Sequence, residues 1–239
     1  MPATSHSRQR RKQARPQELL DAALGVFVEK GFAAARTEEV AARAGVSKGT
    51  LYLYYPSKEE LLKAVIREHV LSVIEAGAIE IQQFTGSNAD LLRHLLADWW
   101  MKVFESPGSA VFKLVMTEAR SFPEIAEFYR RDVIEPGNRL IGGVLQRGIE
   151  QGEFRAVDID AAVHSIVLPM VMLCLHKHSV GVCAPVESLL RPRLFIDQHM
   201  DLMIRGLESG ATGRPLARRP AKGRSAAAAA KPVDTGLAK

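Results

Sequence analysis

Apolar side chains recur at helical spacing along almost the whole chain. The first run shows the spacing i, i+3, i+4 and i+7 of one helix face at Leu20, Ala23, Leu24 and Phe27. Pro16 suits the first position of that helix. No segment alternates apolar and polar residues with the period of two that predicts a strand. The pattern therefore predicts an all-α protein of about nine helices.

Two short helices follow the first, and turn residues mark their ends. Thr37 is predicted to cap a helix that stops at Gly45, because a tight turn there needs a positive φ. Ser47 caps the next helix, which is predicted to run to Tyr54, and Ser57 opens a long fourth helix through a capping box. Residues 37–54 thus have the spacing of a helix-turn-helix, which lays its second helix in the DNA major groove.

Small and apolar residues occupy the positions at which a helix-turn-helix must pack. Ala41 lies where the two helices would touch. The positions that would face the first helix are apolar: Val40, Ala44, Val46 and Leu51. An ordinary helical hairpin is the alternative, but it leaves the basic N-terminus and the polar residues 48–50 unexplained.

The helical pattern continues as far as residue 207. Breaks are predicted at residues 106–108 and 181–192, with a kink at Pro136. Asp158 caps a helix that is apolar almost all round and is therefore predicted to be buried on more than one side. We expect one domain over residues 16–62, continuing into the fourth helix, and a second over residues 63–207.

Basic side chains are concentrated at the two ends of the chain. The formal net charge is +5, but residues 16–207 carry more acidic than basic side chains. Residues 1–15 are predicted to form a flexible basic arm, and residues 208–239 a disordered basic tail rich in Ala, Pro and Gly. Such arms gain affinity for a polyanion by displacing its counterions, so they suggest contact with DNA phosphates. The alternative is that they only keep the protein soluble.

The cysteine content and the hydropathy of the chain indicate in which cell compartment the protein acts. The chain has 2 cysteines, Cys174 and Cys183, which suits a reducing environment. No apolar run approaches the roughly 20 residues of a membrane span, and the N-terminus lacks the apolar core of a signal peptide. The sequence therefore predicts a cytoplasmic protein without membrane contact.

The stretch TEEVAARAGVSKGTLYLYYPSKEELL, residues 37–62, resembles the signature of the TetR family of transcriptional repressors, and the resemblance extends over residues 17–70. It implies a DNA-binding domain followed by the family's helical ligand-binding and dimerisation domain. The DNA contacts that it implies are Arg36, Thr37, Ser47, Lys48, Gly49, Thr50, Tyr52, Tyr54 and Lys58.

The chemistry of these side chains suits the implied contacts. Lys48 can donate to guanine or to phosphate, and Thr50 offers a hydroxyl and a methyl group for thymine. Gly49 lets the backbone approach closely. Tyr52 and Tyr54 are better suited to donating to phosphates than to reading bases. Tyr55 is predicted to be mainly a core residue with its hydroxyl at the rim.

A helix-turn-helix regulator normally reads two half-sites as a two-fold dimer, so the last two long helices are the predicted dimer surface. Its candidate residues are Ile159, Val163, Ile166, Phe195, Leu202 and Met203. Aromatic side chains and flexible methionines predict an adaptable apolar pocket among the central helices. Its candidate residues are Trp99, Trp100, Phe104, Phe112, Met116, Phe128, Met170 and Met172. For each of these, plain core packing is the alternative.

The sequence predicts neither an enzyme nor a cofactor-dependent protein. His176 and His178 are two residues apart and point to different helix faces, which argues against shared metal ligation. Cys174 lacks the orienting groups of a catalytic nucleophile. The prediction is a homodimeric repressor that a small apolar or aromatic effector releases from a palindromic DNA operator. The alternatives are a metal- or thiol-responsive regulator, and a helical small-molecule-binding protein or enzyme with a vestigial helix-turn-helix.

Overall fold

The computed structural model describes residues 5–210, with side chains from residue 16 onward except that of residue 188. Over this range the protein has 10 helices and no strand, and one isolated bridge joins Phe154 to Glu208. The all-α prediction is thereby confirmed. Residues 1–4 of the predicted arm and residues 211–239 of the predicted tail lie outside the described range.

The first three helices form the predicted helix-turn-helix and its support. They are α1 (Ser5–Lys30), α2 (Thr37–Arg43) and α3 (Lys48–Tyr54). Helix α1 begins at Ser5 rather than at Pro16, because the residues before Pro16 are good helix formers without glycine or proline. The turn between α2 and α3 contains Gly45 at φ +67°, the left-handed conformation that glycine adopts without strain.

The remaining helices build the second domain, and three of them contain π-helical segments. Helix α4 spans residues 58–83, α5 spans residues 88–105, and α7 spans residues 123–150, with π segments at Arg67–Leu71, Leu91–Leu96 and Arg130–Ile134. Between them lies α6 (Ser109–Glu118). The chain ends its described part with α8 (Ile159–Lys177), α9 (Val180–Cys183), a short 3-10 turn (Glu187–Leu190) and α10 (Pro192–Leu207).

Side-chain caps fix the starts of several helices as predicted. The Ser47 side chain accepts from the amide of Thr50 at 3.1 Å, and the Asp158 carboxylate accepts from the amide of Ala161 at 2.9 Å. The predicted cap by Thr37 is wrong. The N-cap of α2 is Arg36, which has an extended backbone and makes no side-chain capping bond. Thr37 is the first residue of the helix, and its hydroxyl lies 3.1 Å from the hydroxyl of Tyr52 on α3.

Two hydrophobic cores hold the helices together. The N-terminal core joins α1–α4 to side chains of α6 and α7, among them Val111, Leu114 and Phe128. The C-terminal core joins α5, α7, α8 and α10. Gly108, in the turn before α6, permits a close approach to α4, because a Cβ atom there would lie 2.4 Å from the carbonyl oxygen of His69. The first four helices therefore share their core with helices of the second domain.

Helix α8 is less buried than its composition predicts. It is the one described helix that is long and apolar enough to cross a membrane by length and composition alone. One face of it packs in the C-terminal core, whereas Leu168 and Met172 on another face are 58% and 60% exposed. An apolar face left open in a single chain marks a candidate contact surface.

Candidate DNA interface and effector cavity

Helix α3 presents its N-terminal residues to solvent, as a recognition helix must. Ser47, Lys48 and Gly49 are exposed and Thr50 is half-buried. The Lys48 ammonium donates to Glu38 at 2.5 Å. This hydrogen bond holds the pKa of Glu38 below its ordinary value, and Glu38 raises the pKa of Lys48. Because both side chains are exposed, water screens the pair, and a phosphate or base can replace Glu38 at little cost.

Two tyrosines of α3 are also exposed. Tyr52 and Tyr54 are 39% and 41% exposed, so their hydroxyls can reach a phosphate. The contact between Tyr52 and Thr37 ties the middle of α3 to the first turn of α2. Arg36 is exposed beside that turn. Three of the implied DNA contacts, Arg36, Thr37 and Tyr52, therefore lie together at the junction of the two helices, where Thr37 itself is buried.

Lys58 is engaged inside the protein rather than free for DNA. Its ammonium donates to the backbone carbonyls of Phe32, Ala33 and Ala35 at 2.8, 3.1 and 3.2 Å. It also lies 4.5 Å from the centroid of the Phe32 ring. An ammonium has three N–H donors, so these carbonyls use all of them. The implied phosphate contact of Lys58 is therefore corrected: it anchors the loop between α1 and α2.

Leu53, which no sequence pattern singled out, is exposed one helical turn after Gly49 on α3. It is 86% exposed on α3, whereas Leu51 is fully buried. Two residues that are two positions apart point to opposite sides of a helix, so the burial of Leu51 could have revealed the exposure of Leu53. An apolar side chain in the major groove can contact a thymine methyl group. Tyr55 is half-buried against the N-terminal core as predicted, and burial raises the pKa of its hydroxyl.

A cavity of about 200 Å³ lies in the second domain between α4, α5, α6, α7 and α8. Its wall is almost wholly apolar, and side chains from the π segments of α4 and α7 contribute to it through Val70, Val133 and Ile134. Met116 and Leu168, which line it, are also exposed to solvent, so the cavity opens between α6 and α8. Such a space suits a small apolar ligand.

Three of the predicted pocket residues line this cavity: Trp100, Phe112 and Met116. The other five predicted pocket residues do not line it. Three of them, Trp99, Phe104 and Phe128, pack elsewhere. The Trp99 indole donates to the carbonyl of Val73 at 2.9 Å and lines a smaller cleft. Phe104 lies 4.6 Å from the Lys177 ammonium, and Phe128 belongs to the N-terminal core.

The two methionines of α8 also lie outside the cavity wall. Met170 is 1% exposed in the C-terminal core, and Met172 points to solvent. Their separation of two residues sends them to opposite sides of α8. Residue type alone therefore did not indicate which side chains face the cavity.

The predicted dimer residues divide into inner and outer sets. Val163 and Ile166 are buried in the C-terminal core of the single chain, so they are corrected to core residues. Ile159, Phe195 and Met203 are half-buried and pack against the same core. Leu202 is 71% exposed. The outer apolar side chains of α8 and α10 are Leu168, Met172, Leu194 and Leu202.

The candidate metal ligands do not come together within the described residues, and Cys174 is buried. No group of three or more His, Cys, Asp or Glu side chains there is placed to hold a metal ion. Burial raises the pKa of the Cys174 thiol to about 12, so it is not a thiolate at neutral pH. His178 Nε2 lies 2.8 Å from the buried hydroxyl of Ser109. This contact links the start of α6 to the end of α8.

Comparison with known proteins matches both domains. Residues 19–65 match the family described as "Bacterial regulatory proteins, tetR family", and residues 84–188 match "Tetracyclin repressor-like, C-terminal domain". The uncharacterized HTH-type transcriptional regulator YfiR of Bacillus subtilis is 30% identical over 164 residues, covering 66% of this chain and 77% of YfiR.

Two further matches are a fatty acid metabolism regulator and a regulator solved with stearoyl-CoA. The "Fatty acid metabolism regulator protein" of Bacillus subtilis is 25% identical over 146 residues, covering 60% of this chain and 74% of that protein. The crystal structure of Bacillus subtilis FadR in complex with stearoyl-CoA has a TM-score of 0.65 at 20% identity, covering 80% of this chain and 99% of FadR. With its exposed recognition helix and its two matched domains, the chain belongs to the TetR family of DNA-binding transcriptional regulators.

Proposed function

We propose that this regulator is a repressor that leaves a palindromic operator when a small apolar effector enters the cavity between α6 and α8. One observation carries the proposal: helix α6 contacts both the cavity and the DNA-binding domain. Phe112 and Met116 on α6 line the cavity. Glu118, at the end of the same helix, accepts a hydrogen bond from the backbone amide of Phe32 at 3.0 Å.

The loop between α1 and α2 is held from two sides. Lys58, at the start of α4, binds its carbonyls, and Glu118 binds one of its amides. The ring of Phe32 also meets that of Phe122, just after α6, at a centroid distance of 4.7 Å. A shift of α6 on effector binding would therefore move the loop from which α2 and α3 continue. We infer that through this link a bound effector favours one arrangement of the DNA-binding domain over another, as coupling requires.

The effector that suits this cavity best is an acyl chain. The apolar wall and the opening between α6 and α8 favour a flexible hydrocarbon with its polar end toward solvent. The name of one relative, a fatty acid metabolism regulator, and the stearoyl-CoA in the FadR complex support this choice. The family consists of transcriptional regulators rather than enzymes. We therefore infer that the protein acts in the cytoplasm by binding alone.

Proteins of this family bind operators as homodimers, and we propose that the outer faces of α8 and α10 pair in the dimer. Met172, Leu194 and Leu202 give these two helices an exposed apolar surface that a partner copy would cover. Replacing Leu202 with glutamate should yield monomers in sedimentation velocity and abolish operator binding. Ile79, 56% exposed on α4, offers the control, since Ile79→Glu should leave the dimer intact. A dimeric Leu202→Glu variant would exclude this surface.

The repressor proposal is tested on the protein's own operator. Genome-wide mapping of bound DNA would supply that sequence, and fluorescence anisotropy would measure its affinity with and without acyl compounds. We expect a steep loss of affinity as salt rises and a further loss on adding an effector. Sequence-independent DNA binding alone, or an operator affinity that no acyl compound alters, would contradict the proposal.

A further inference from the structure

A second, smaller space lies beside the effector cavity. It is a cleft of about 30 Å³ between α4, α5 and α7, and its wall is almost wholly apolar. The cleft and the cavity have three lining residues in common, Ile74, Gly137 and Ile141. Trp99 lines the cleft and Trp100 lines the cavity, and the centroids of their rings are 4.9 Å apart. The two spaces are therefore neighbours that share one wall.

The shared wall lacks a side chain at Gly137. A Cβ atom at this position would lie 3.9 Å from Cδ1 of Ile74. No other helix places an atom within 4 Å of it in the described part of the chain. The Cδ1 atom is the end of a rotatable side chain, which can change to another staggered conformation. At this point the wall therefore consists of one movable methyl group beside an open position on α7.

The other sides of the cleft are fixed and apolar. The Trp99 indole donates to the carbonyl of Val73 at 2.9 Å. The same ring packs on Gly77, where a Cβ atom would lie 2.8 Å from the indole nitrogen. Glu80 is charged, but it lies 3.4 Å from the Lys102 ammonium and both side chains reach solvent, so this charge is at the rim. The cleft thus offers a hydrocarbon a preformed surface once Ile74 moves aside.

We infer that the effector is an acyl chain long enough to pass Ile74 into this cleft, and that Gly137 determines the longest chain accepted. This inference rests on the proposed function, because it specifies the effector of that cavity. The polar end stays at the opening between α6 and α8, and the methyl end lies in the cleft. Each methylene group that moves from water to an apolar wall raises affinity about fourfold. Affinity should therefore continue to rise for chains that pass the shared wall.

The test measures how affinity depends on chain length in the full-length protein. Octanoyl-, dodecanoyl- and hexadecanoyl-CoA and the three corresponding free acids would be titrated by calorimetry, since the head group is not specified by the cleft. In the series that binds, we expect each increase in length to tighten binding at least about tenfold.

Two substitutions at the shared wall should change this dependence in opposite directions. Gly137→Leu places a side chain beside Ile74, so it should leave octanoyl binding nearly unchanged and remove the gain of the longer chains. Ile74→Ala removes the movable methyl group and should raise the ratio of hexadecanoyl to octanoyl affinity about threefold. Gly143→Leu is the matched control on the same helix, because Gly143 is exposed with no neighbouring atom within 4 Å. It should keep the wild-type dependence on length.

Several results would overturn the inference. They are an affinity that stops rising at the octanoyl chain, a Gly137→Leu variant that weakens all lengths equally, and the same loss of length dependence in Gly143→Leu. Retained octanoyl binding shows that Gly137→Leu is folded. If that variant does not fold, Ile74→Ala decides, and an unchanged affinity ratio there refutes the role of the shared wall.

The outcomes also separate this inference from the proposed repressor function. Length-dependent binding that leaves operator affinity unaltered would support the inference and overturn the repressor proposal. Release of the operator by octanoyl compounds, with no gain for longer chains, would overturn the inference and leave the repressor proposal standing. No binding by any of these acyl compounds would overturn both.

Discussion

Replacing Lys58 with methionine distinguishes an internal anchor from a phosphate contact. Methionine keeps the apolar stem but removes the ammonium that binds Phe32, Ala33 and Ala35. A hydrogen bond to a charged group contributes about 1.5–3 kcal/mol when buried. The site is only partly buried, and water can reach the exposed residue Ala33. The total loss is therefore smaller than the sum of three fully buried hydrogen bonds. We expect the free energy of unfolding to fall by roughly 2–4 kcal/mol.

Urea unfolding measures that loss, and the salt dependence of operator affinity measures the phosphate contact. Lys58→Met should lower the urea midpoint and leave the slope of log affinity against log salt unchanged. Lys48→Met is the control, because Lys48 is exposed at the start of α3. It should leave the midpoint in place and reduce the slope by about one. A stable Lys58→Met variant with a reduced salt slope would refute the anchoring role and restore the phosphate contact.

Three further predictions follow from other parts of the structure. Leu53→Ala should leave stability unchanged and shift operator preference at one base pair, costing about 1 kcal/mol in a binding selection, because an apolar contact with a methyl group is lost. Equal losses on all sequences would rule out base reading. Glu118→Ala should keep effector affinity but reduce the effector-induced loss of operator affinity about tenfold in anisotropy titrations, and an unaltered response would exclude this link. Burial lowers the pKa of His69, His178 and His199, so the unfolded chain binds more protons. Unfolding free energy should therefore fall as pH drops below about 6.5, and a constant value from about pH 7 to 5 would refute this.

The features predicted well from the sequence are those set by neighbours along the chain. Ser47 and Asp158 cap helices because their side chains reach amides three residues later. Gly45 fixes the turn through its own backbone. The helix-turn-helix needs only these short-range signals and a short apolar stripe, so its helices were predicted nearly to the residue.

The features predicted poorly depend on contacts between distant segments. Whether Lys58 is free depends on a loop more than twenty residues earlier in the chain. Met170 and Met172 have the same chemistry, and only the orientation of α8 decides which is core and which is exposed. Trp99 and Trp100 likewise differ only because a carbonyl of α4 lies beside the first. Periodicity gives a helix its apolar face but not the identity of the helix that covers it.

The N-terminal core limits how far this regulator can be treated as interchangeable modules. Side chains of α1 and α4 pack with Val111, Leu114 and Phe128 of the second domain. A fragment cut after α4 would expose that apolar surface to water and would be prone to aggregate. A hybrid regulator that joins these first helices to a foreign sensor domain would need matching side chains on the sensor's counterparts of α6 and α7. The operator specificity of this protein is therefore transferable only together with the side chains of α6 and α7 on which its helix-turn-helix domain packs.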